Sequence, residues 1–238
     1  MAGRFPRPTD RGTLMIEHMF DRVPVEPGAA PTSSRVPHRR APRGVMDDVT
    51  TAPARHLVQL GPGEITERLS EALDVYVTAM GYPPSTARQR RALWLDHVRR
   101  PGWRAVGWVD AADRLLGVAY GYTGGPGQWW FEEVRRGLRA RGGETESWLG
   151  DYFELTELHV RPDAQGGGLG EGLLRALLAG TDRSHVLLST PEYGTQPPGR
   201  AWQLYRRTGF RDVLREHRFT GDSRPFAVLG RELPVPPR

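Results

Sequence analysis

The sequence predicts an α/β fold, a mixed sheet with helices on both faces. Three observations lead there. Apolar residues at helical spacing alternate along the chain with short runs rich in Val, Leu, Tyr and Trp. One such run, YFELTELHV at 152–160, passes through RPDAQGGG straight into another helical pattern. No internal repeat divides the chain, so its 238 residues, 38% of them apolar, read as one core with an appendage.

The elements follow in order. Residues 1–46 hold seven Pro and eight Arg against four acids. Such a segment buries too little apolar surface to offset its ordering entropy. A disordered Arg/Pro-rich leader is expected there, or an extension ahead of a start near Met46, and the domain is expected over 47–238. A tether to an anionic surface or to nucleic acid is the functional alternative for the leader. RHLVQL (55–60) reads as a strand. Ile65, Leu69, Leu73, Tyr76 and Met80 then recur at helical spacing up to Gly81. Ser85 is the expected N-cap of a second helix that Pro101 and Gly102 stop. WRAVGWV (103–109) and LLGVAYGY (115–122) form a hairpin pattern. Residues 124–150 are a Gly-rich insertion with an amphipathic piece at 128–139. The strand 152–160, a helix from about Gly168, the strand HVLLST (185–190) and a short helix over 200–208 follow. Two strands, near 211–219 and 226–232, finish the chain.

Composition narrows the function. The chain has no Cys, which excludes disulfides, thiolate zinc sites and Cys nucleophiles. It has no Lys, which excludes a P-loop lysine and Schiff-base chemistry. Beyond residue 46, 25 Arg stand against 24 acids, a net charge of +1. The isoelectric point near 10.0 therefore reflects cations that all titrate very high, and nucleic acid is not an expected partner. No run approaches the roughly 18 apolar residues of a membrane span, and no signal-like apolar region opens the chain, so no membrane association is expected. The expected compartment is the cytoplasm.

The sharpest feature is the strand–turn–helix segment from Val160 to Gly170. Three consecutive glycines, Gly166, Gly167 and Gly168, let successive N–H groups turn toward one point at the positive end of a helix. That arrangement suits a pyrophosphate, and a flexible loop is the plainer alternative. The dinucleotide fingerprint GxGxxG fails in every register, meeting Glu171, Leu173 or Arg175 where its last glycine is required. GxSxG and HExxH are absent, and no metal site is expected.

ELTELHVRPDAQGGGLG resembles motif A of the GNAT superfamily, the acyl-CoA-dependent N-acyltransferases. Gln165, Gly168 and Gly170 stand at the defining positions of its (Q/R)xxGx(G/A) pattern. AWQLYRRTGF (201–210) is similar to the family's helix ending in Tyr-x-x-x-Gly-Phe, and Gly117 stands where the third strand commonly has one. The resemblance covers roughly residues 53–233, with the leader and the insertion outside it. It implies a GNAT-like mixed central sheet and acetyl-CoA as cosubstrate. The strand 154–160 would splay from its neighbour, and His159 and Val160 would meet the pantetheine arm. Backbone N–H groups of Gln165, Gly166, Gly167, Gly168, Leu169 and Gly170 would hold the pyrophosphate. An amine would attack the thioester directly, with a backbone N–H of the splayed strand stabilising the oxyanion.

An alkyl ammonium has a pKa of about 10, so a base is required at neutral pH. Glu154 and Glu157 are the candidates, and a water chain is the alternative. Their odd spacing puts them on opposite faces of a strand unless a bulge intervenes. Tyr205 stands where the family has its general acid. Pro198 replaces an Asn that commonly touches the pantetheine, a contact that Arg200 is placed to supply. The implied acceptor is a small-molecule or peptide amine, and a homodimer stays open. The rivals are a non-catalytic acyl-CoA-binding or regulatory module and a nucleic-acid-associated protein that uses the Arg-rich leader. Trp129, Trp130 and Phe131 on the insertion read either as a lid on the acceptor pocket or as core packing.

Overall fold

The computed structural model describes residues 54–142, 145–192 and 199–235. The expected leader and Pro198 lie outside them. Strand β1 (Arg55–Leu60) leads into helices α1 (Pro62–Glu67), α2 (Leu69–Met80) and α3 (Ser85–His97). The hairpin β2 (Arg104–Asp110) and β3 (Leu115–Thr123) follows, then α4 (Trp129–Ala140) and α5 (Thr145–Leu149). Strand β4 (Tyr152–Val160), helix α6 (Leu169–Leu178), strand β5 (His185–Pro191), helix α7 (Arg200–Arg207) and strands β6 (Arg211–His217) and β7 (Phe226–Glu232) complete it.

Two local expectations need correction. The periodic run from Ile65 to Met80 forms two helices, because Arg68 leaves helical geometry at φ −88° and ψ 10°. Its guanidinium is held by Glu71 and by the Asp113 turn, which fixes the kink. Ser85 is the first residue of α3 and not its cap; Pro84 holds that position without a side-chain bond. The stop at Gly81 is as expected. Its φ of +67° lets its own N–H and that of Tyr82 close on the carbonyls of Thr78 and Val77.

The seven strands lie in the order β1-β2-β3-β4-β5-β7-β6. Every neighbouring pair is antiparallel except β4 with β5. That parallel pair holds only from Tyr152–Glu154 against His185–Leu187. Beyond it β4 stays on β3 as far as Val160 and β5 stays on β7 as far as Pro191, so the sheet opens into a split. A bulge accompanies the divergence. Tyr120 faces Glu157 and Gly121 faces Leu155, which leaves Thr156 as the extra residue of β4. A bulge bends its strand and increases its twist. Gly121 permits it: a Cβ there would lie 2.2 Å from the Glu154 carbonyl oxygen.

Three apolar clusters cover the sheet. Helix α6 packs Leu173, Leu174 and Leu177 on one face, together with Leu204 and Phe210 from α7 and its exit. The other face is shared. Helices α2 and α3 cover its first half with Leu73, Tyr76 and Trp94. Helix α4 covers the second half with Trp130, Phe131, Val134 and Leu138, against Tyr152, Leu187, Phe226 and Val228. The insertion is therefore a layer of the core. Burying each of its large apolar side chains is worth roughly 2–3 kcal/mol.

Candidate active site

The glycine turn lies at the open end of the split. Gly166 and Gly168 have φ of +88° and +78°, a region that side chains resist. Gly168 is the N-cap of α6 and offers no side chain to cap it. The first helical bond is Gly172 N–H to the Gly168 carbonyl at 3.0 Å. The N–H groups of Leu169 and Gly170, in the first turn, therefore have no partner within the helix. A Cβ at Gly166 or Gly168 would meet nothing within 4 Å, so these glycines serve the backbone path and the space before them is open.

That space is a cleft of about 340 Å³, lined by Val160, Gln165, Gly166, Gly168, Leu169 and Gly170, with Arg200 and Arg207 on its far wall. The Gln165 amide donates to the Val160 carbonyl at 2.9 Å, and Arg200 donates to the Gln165 side-chain oxygen at 3.1 Å. Gln165 thus ties the strand end to α7 and keeps a guanidinium at the rim. Gly167 faces elsewhere: a Cβ there would lie 2.8 Å from the Arg55 guanidinium. Open N–H groups at a helix start beside fixed guanidinium groups suit a polyanion.

A second cleft, of about 320 Å³, lies on the other side of β4 and shares Leu158, Arg200 and Ala201 with the first. Its lining includes Tyr76, Trp130, Trp202 and Tyr205 together with Glu154 and Glu157. The bulge explains why both carboxylates are here. Glu154 pairs with Tyr122 and Glu157 with Tyr120, and those tyrosines alternate around Gly121 on one face of β3. The extra residue Thr156 brings the two glutamates onto that same face.

Their surroundings differ. Glu154 is 4% exposed. The Tyr122 hydroxyl donates to its Oε1 at 2.8 Å, while its Oε2 has no partner. Burial pushes this carboxyl up to about 7, against the opposing pull of the Tyr122 bond and the Arg100 charge. Glu157 is nearer water and pairs with His159 Nε2 at 2.5 Å. The His159 ring lies edge-on to Tyr76 at 5.0 Å. Its side chain thus stands in the second cleft, away from the glycine turn. Tyr205 is 7% exposed, packs on Phe210 at 5.5 Å and faces the second cleft. Burial, then the Glu157 charge, push its phenol up. His97, on the same wall, bonds the Tyr120 hydroxyl through Nδ1 at 3.0 Å. Burial, then the Arg100 and Arg90 charges, hold it down at about 3, so it is neutral at working pH.

The structure therefore separates the expected site residues into two groups on either side of β4. Val160, Gln165, Gly166, Gly168, Leu169 and Gly170 line the cleft at the glycine turn, while Glu154, Glu157, His159 and Tyr205 line a cleft with carboxylates and aromatic walls. Tyr122, Arg100 and His97 escaped the sequence reading. Tyr122 and His97 look like ordinary hairpin and helix residues, and only the bulged register sets Tyr122 opposite Glu154.

No family model matches the chain. It is 48% identical over 203 residues to a GCN5-like protein acetyltransferase of Mycobacterium tuberculosis, a match covering 75% of this chain and 98% of that protein. Among solved structures, a GNAT-family protein of Desulfovibrio desulfuricans has a TM-score of 0.53 at 17% identity, over 75% of this chain and 99% of that one. A protein of Acinetobacter baylyi assigned as an acetyltransferase has a TM-score of 0.51 at 16% identity, over 79% and 99%. These two show likeness of fold, and the curated relative adds high identity across nearly its whole length. The chain thus belongs to the GNAT superfamily of acyl-CoA-dependent N-acetyltransferases, enzymes that move an acetyl group onto an amine.

Proposed function

We propose that this enzyme binds acetyl-CoA across the split and acetylates a primary amine presented in the second cleft, with Glu154 as the general base. The observation that carries the reading is the Glu154 carboxylate itself. One oxygen is tied to Tyr122, the other is unpartnered, and burial sets the group near 7. A base with that value is half ionised at neutral pH and strong enough to draw a proton from an ammonium in a dry site.

Bound acetyl-CoA supplies a thioester carbonyl open to attack. The chain does the rest. The N–H groups of Leu169 and Gly170 at the start of α6, with Arg200 and Arg207, hold the phosphates. The unpaired edge of β4 beyond Glu154 offers peptide groups to the pantetheine arm. Glu154 takes the proton of the attacking ammonium at Oε2. Tyr205 keeps its proton across the working range and directs it at the departing sulfur. Because a free thiol has a pKa of about 8.5, full transfer from this phenol is uphill, and Tyr205 acts mainly as a hydrogen-bond donor while the C–S bond breaks. Glu157 and the aromatic walls favour a cationic acceptor with an apolar stem. The relative's name, a protein acetyltransferase, supports a peptide or protein amine as that acceptor.

The test is a thiol-release assay with acetyl-CoA and a panel of amines, including lysine peptides, across pH 5 to 9. We expect kcat/KM to rise through the Glu154 value near 7. Glu154→Gln should lower it by about 10²–10⁴-fold. A variant that retains both the rate and the rising limb would refute Glu154 as the base.

A further inference from the structure

The contacts behind Glu154 point to two residues with no assigned role. We propose that Tyr122 and Arg100 are positioning residues for the base, forming a chain from the protein surface to Glu154 that fixes which carboxylate oxygen faces the acceptor. The inference rests on the reading of Glu154 as base.

The geometry is specific. Tyr122 is 1% exposed and donates its hydroxyl to Glu154 Oε1 at 2.8 Å. The carboxylate can then present only Oε2 to the cleft. The Arg100 guanidinium lies 4.6 Å from the centre of the Tyr122 ring. A cation over a phenol ring withdraws electron density and strengthens the hydroxyl as a donor. Arg100 also reaches solvent, with its side chain 22% exposed and Asp96 3.8 Å away.

The cleft also carries Arg90 on α3, Arg200 on α7 and Arg224 before β7, but of these cations and Arg100 it is Arg100 whose charge reaches Glu154. Strand β3 adds Tyr120, and β4 itself adds Tyr152, Glu157 and His159, the last paired with Glu157 at 2.5 Å. Helix α3 adds His97, which is neutral and touches the Tyr122 ring at 5.2 Å. Strand β5 sets Leu187 opposite Glu154. Helix α4 brings Trp130, whose indole N–H is committed to Ser189 at 3.1 Å. Arg100 is the cation that acts on the base.

The experiment follows the carboxylate directly. Protein labelled with ¹³C at the glutamate side-chain carbonyl is titrated by NMR, and the Glu154 signal is identified by its loss in Glu154→Gln. Tyr122→Phe keeps the ring and removes the donor to the ionised form. Its Glu154 midpoint should rise by about one to two pH units, as expected for a lost hydrogen bond to a charged group. Arg100→Gln should raise it by less, and Arg100→Lys should restore most of that change. The rising limb of kcat/KM should move with each midpoint, while acetyl-CoA affinity by calorimetry stays at the wild-type value. An unmoved or lowered midpoint in Tyr122→Phe overturns the proposal. If that variant does not fold, an unmoved midpoint in Arg100→Gln does so. Moved midpoints beside a fully active Glu154→Gln would instead sink the assignment of the base, so the two failures are distinct.

Discussion

Glu154→Gln tests the buried carboxylate without any substrate. Folding raises this group from 4.5 to about 7, because burial penalises its charged form. Between those values the folded protein holds a proton that the unfolded chain has released. Stability therefore falls as pH rises through this window and levels off above the folded value. Between pH 5 and pH 8.5 the carboxylate removes about 2–3 kcal/mol of stability. Glutamine keeps an oxygen for Tyr122 and does not titrate. Any fixed cost of the amide is the same at both pH values and cancels in the comparison. The variant should thus gain about 2–3 kcal/mol on wild type between pH 5 and pH 8.5, or roughly 5–10 °C in Tm. Thermal melts of both proteins at each pH measure it. Parallel curves would show that Glu154 is not strained by burial, and a gain at the acid end would reverse the sign of the argument.

Three further outcomes are expected. Gly168→Asp puts a negative side chain at the N-cap of α6, at a φ of +78°; acetyl-CoA affinity should fall more than about a hundredfold through like-charge repulsion, and calorimetry on a folded variant with wild-type affinity would dismiss the phosphate site. Tyr205→Phe retains the packing on Phe210 and removes the donor, so kcat should drop by roughly 10²-fold with little change in acetyl-CoA binding; an unchanged kcat where chemistry limits the rate would leave Tyr205 a packing residue. Trp130→Ala should cost roughly 3–5 kcal/mol in urea unfolding, since that indole is 4% exposed in the α4 layer, and a loss below about 1 kcal/mol would mean the layer is loosely packed.

Most elements were legible because local patterns determine them. YFELTELHV forms a strand over the residues its composition indicates, and Gly81 ends α2 with the backbone angle that only glycine adopts readily. The glycine turn was legible for the same reason, since its positive φ values leave a mark in residue type. What escaped depends on distant residues. The role of the insertion could not be read without knowing that β5 and β7 need cover on the α2–α3 face, so its aromatics fitted a lid as well as a core. The shared face of Glu154 and Glu157 follows from one extra residue in the pairing of β4 with β3, and nothing in ELTEL announces it. Tyr122 became visible only once that register was known.

The split has a mechanical consequence. Its two flanking strands share only the rungs from Tyr152 to Glu154, so the halves of the sheet meet along a short seam. Strands β1 to β4 lie on one side of that seam and β5 to β7 on the other, each with its own helical cover. Helix α6 and its apolar cluster bridge both halves from the opposite face and act as the spine of the joint. On the proposed mode of acetyl-CoA binding, an arm with peptide-like amides laid against the open edge of β4 would stand in for the missing rungs. Filling the split would then splice two half-sheets into one layer, and stiffness would become a property of the loaded enzyme.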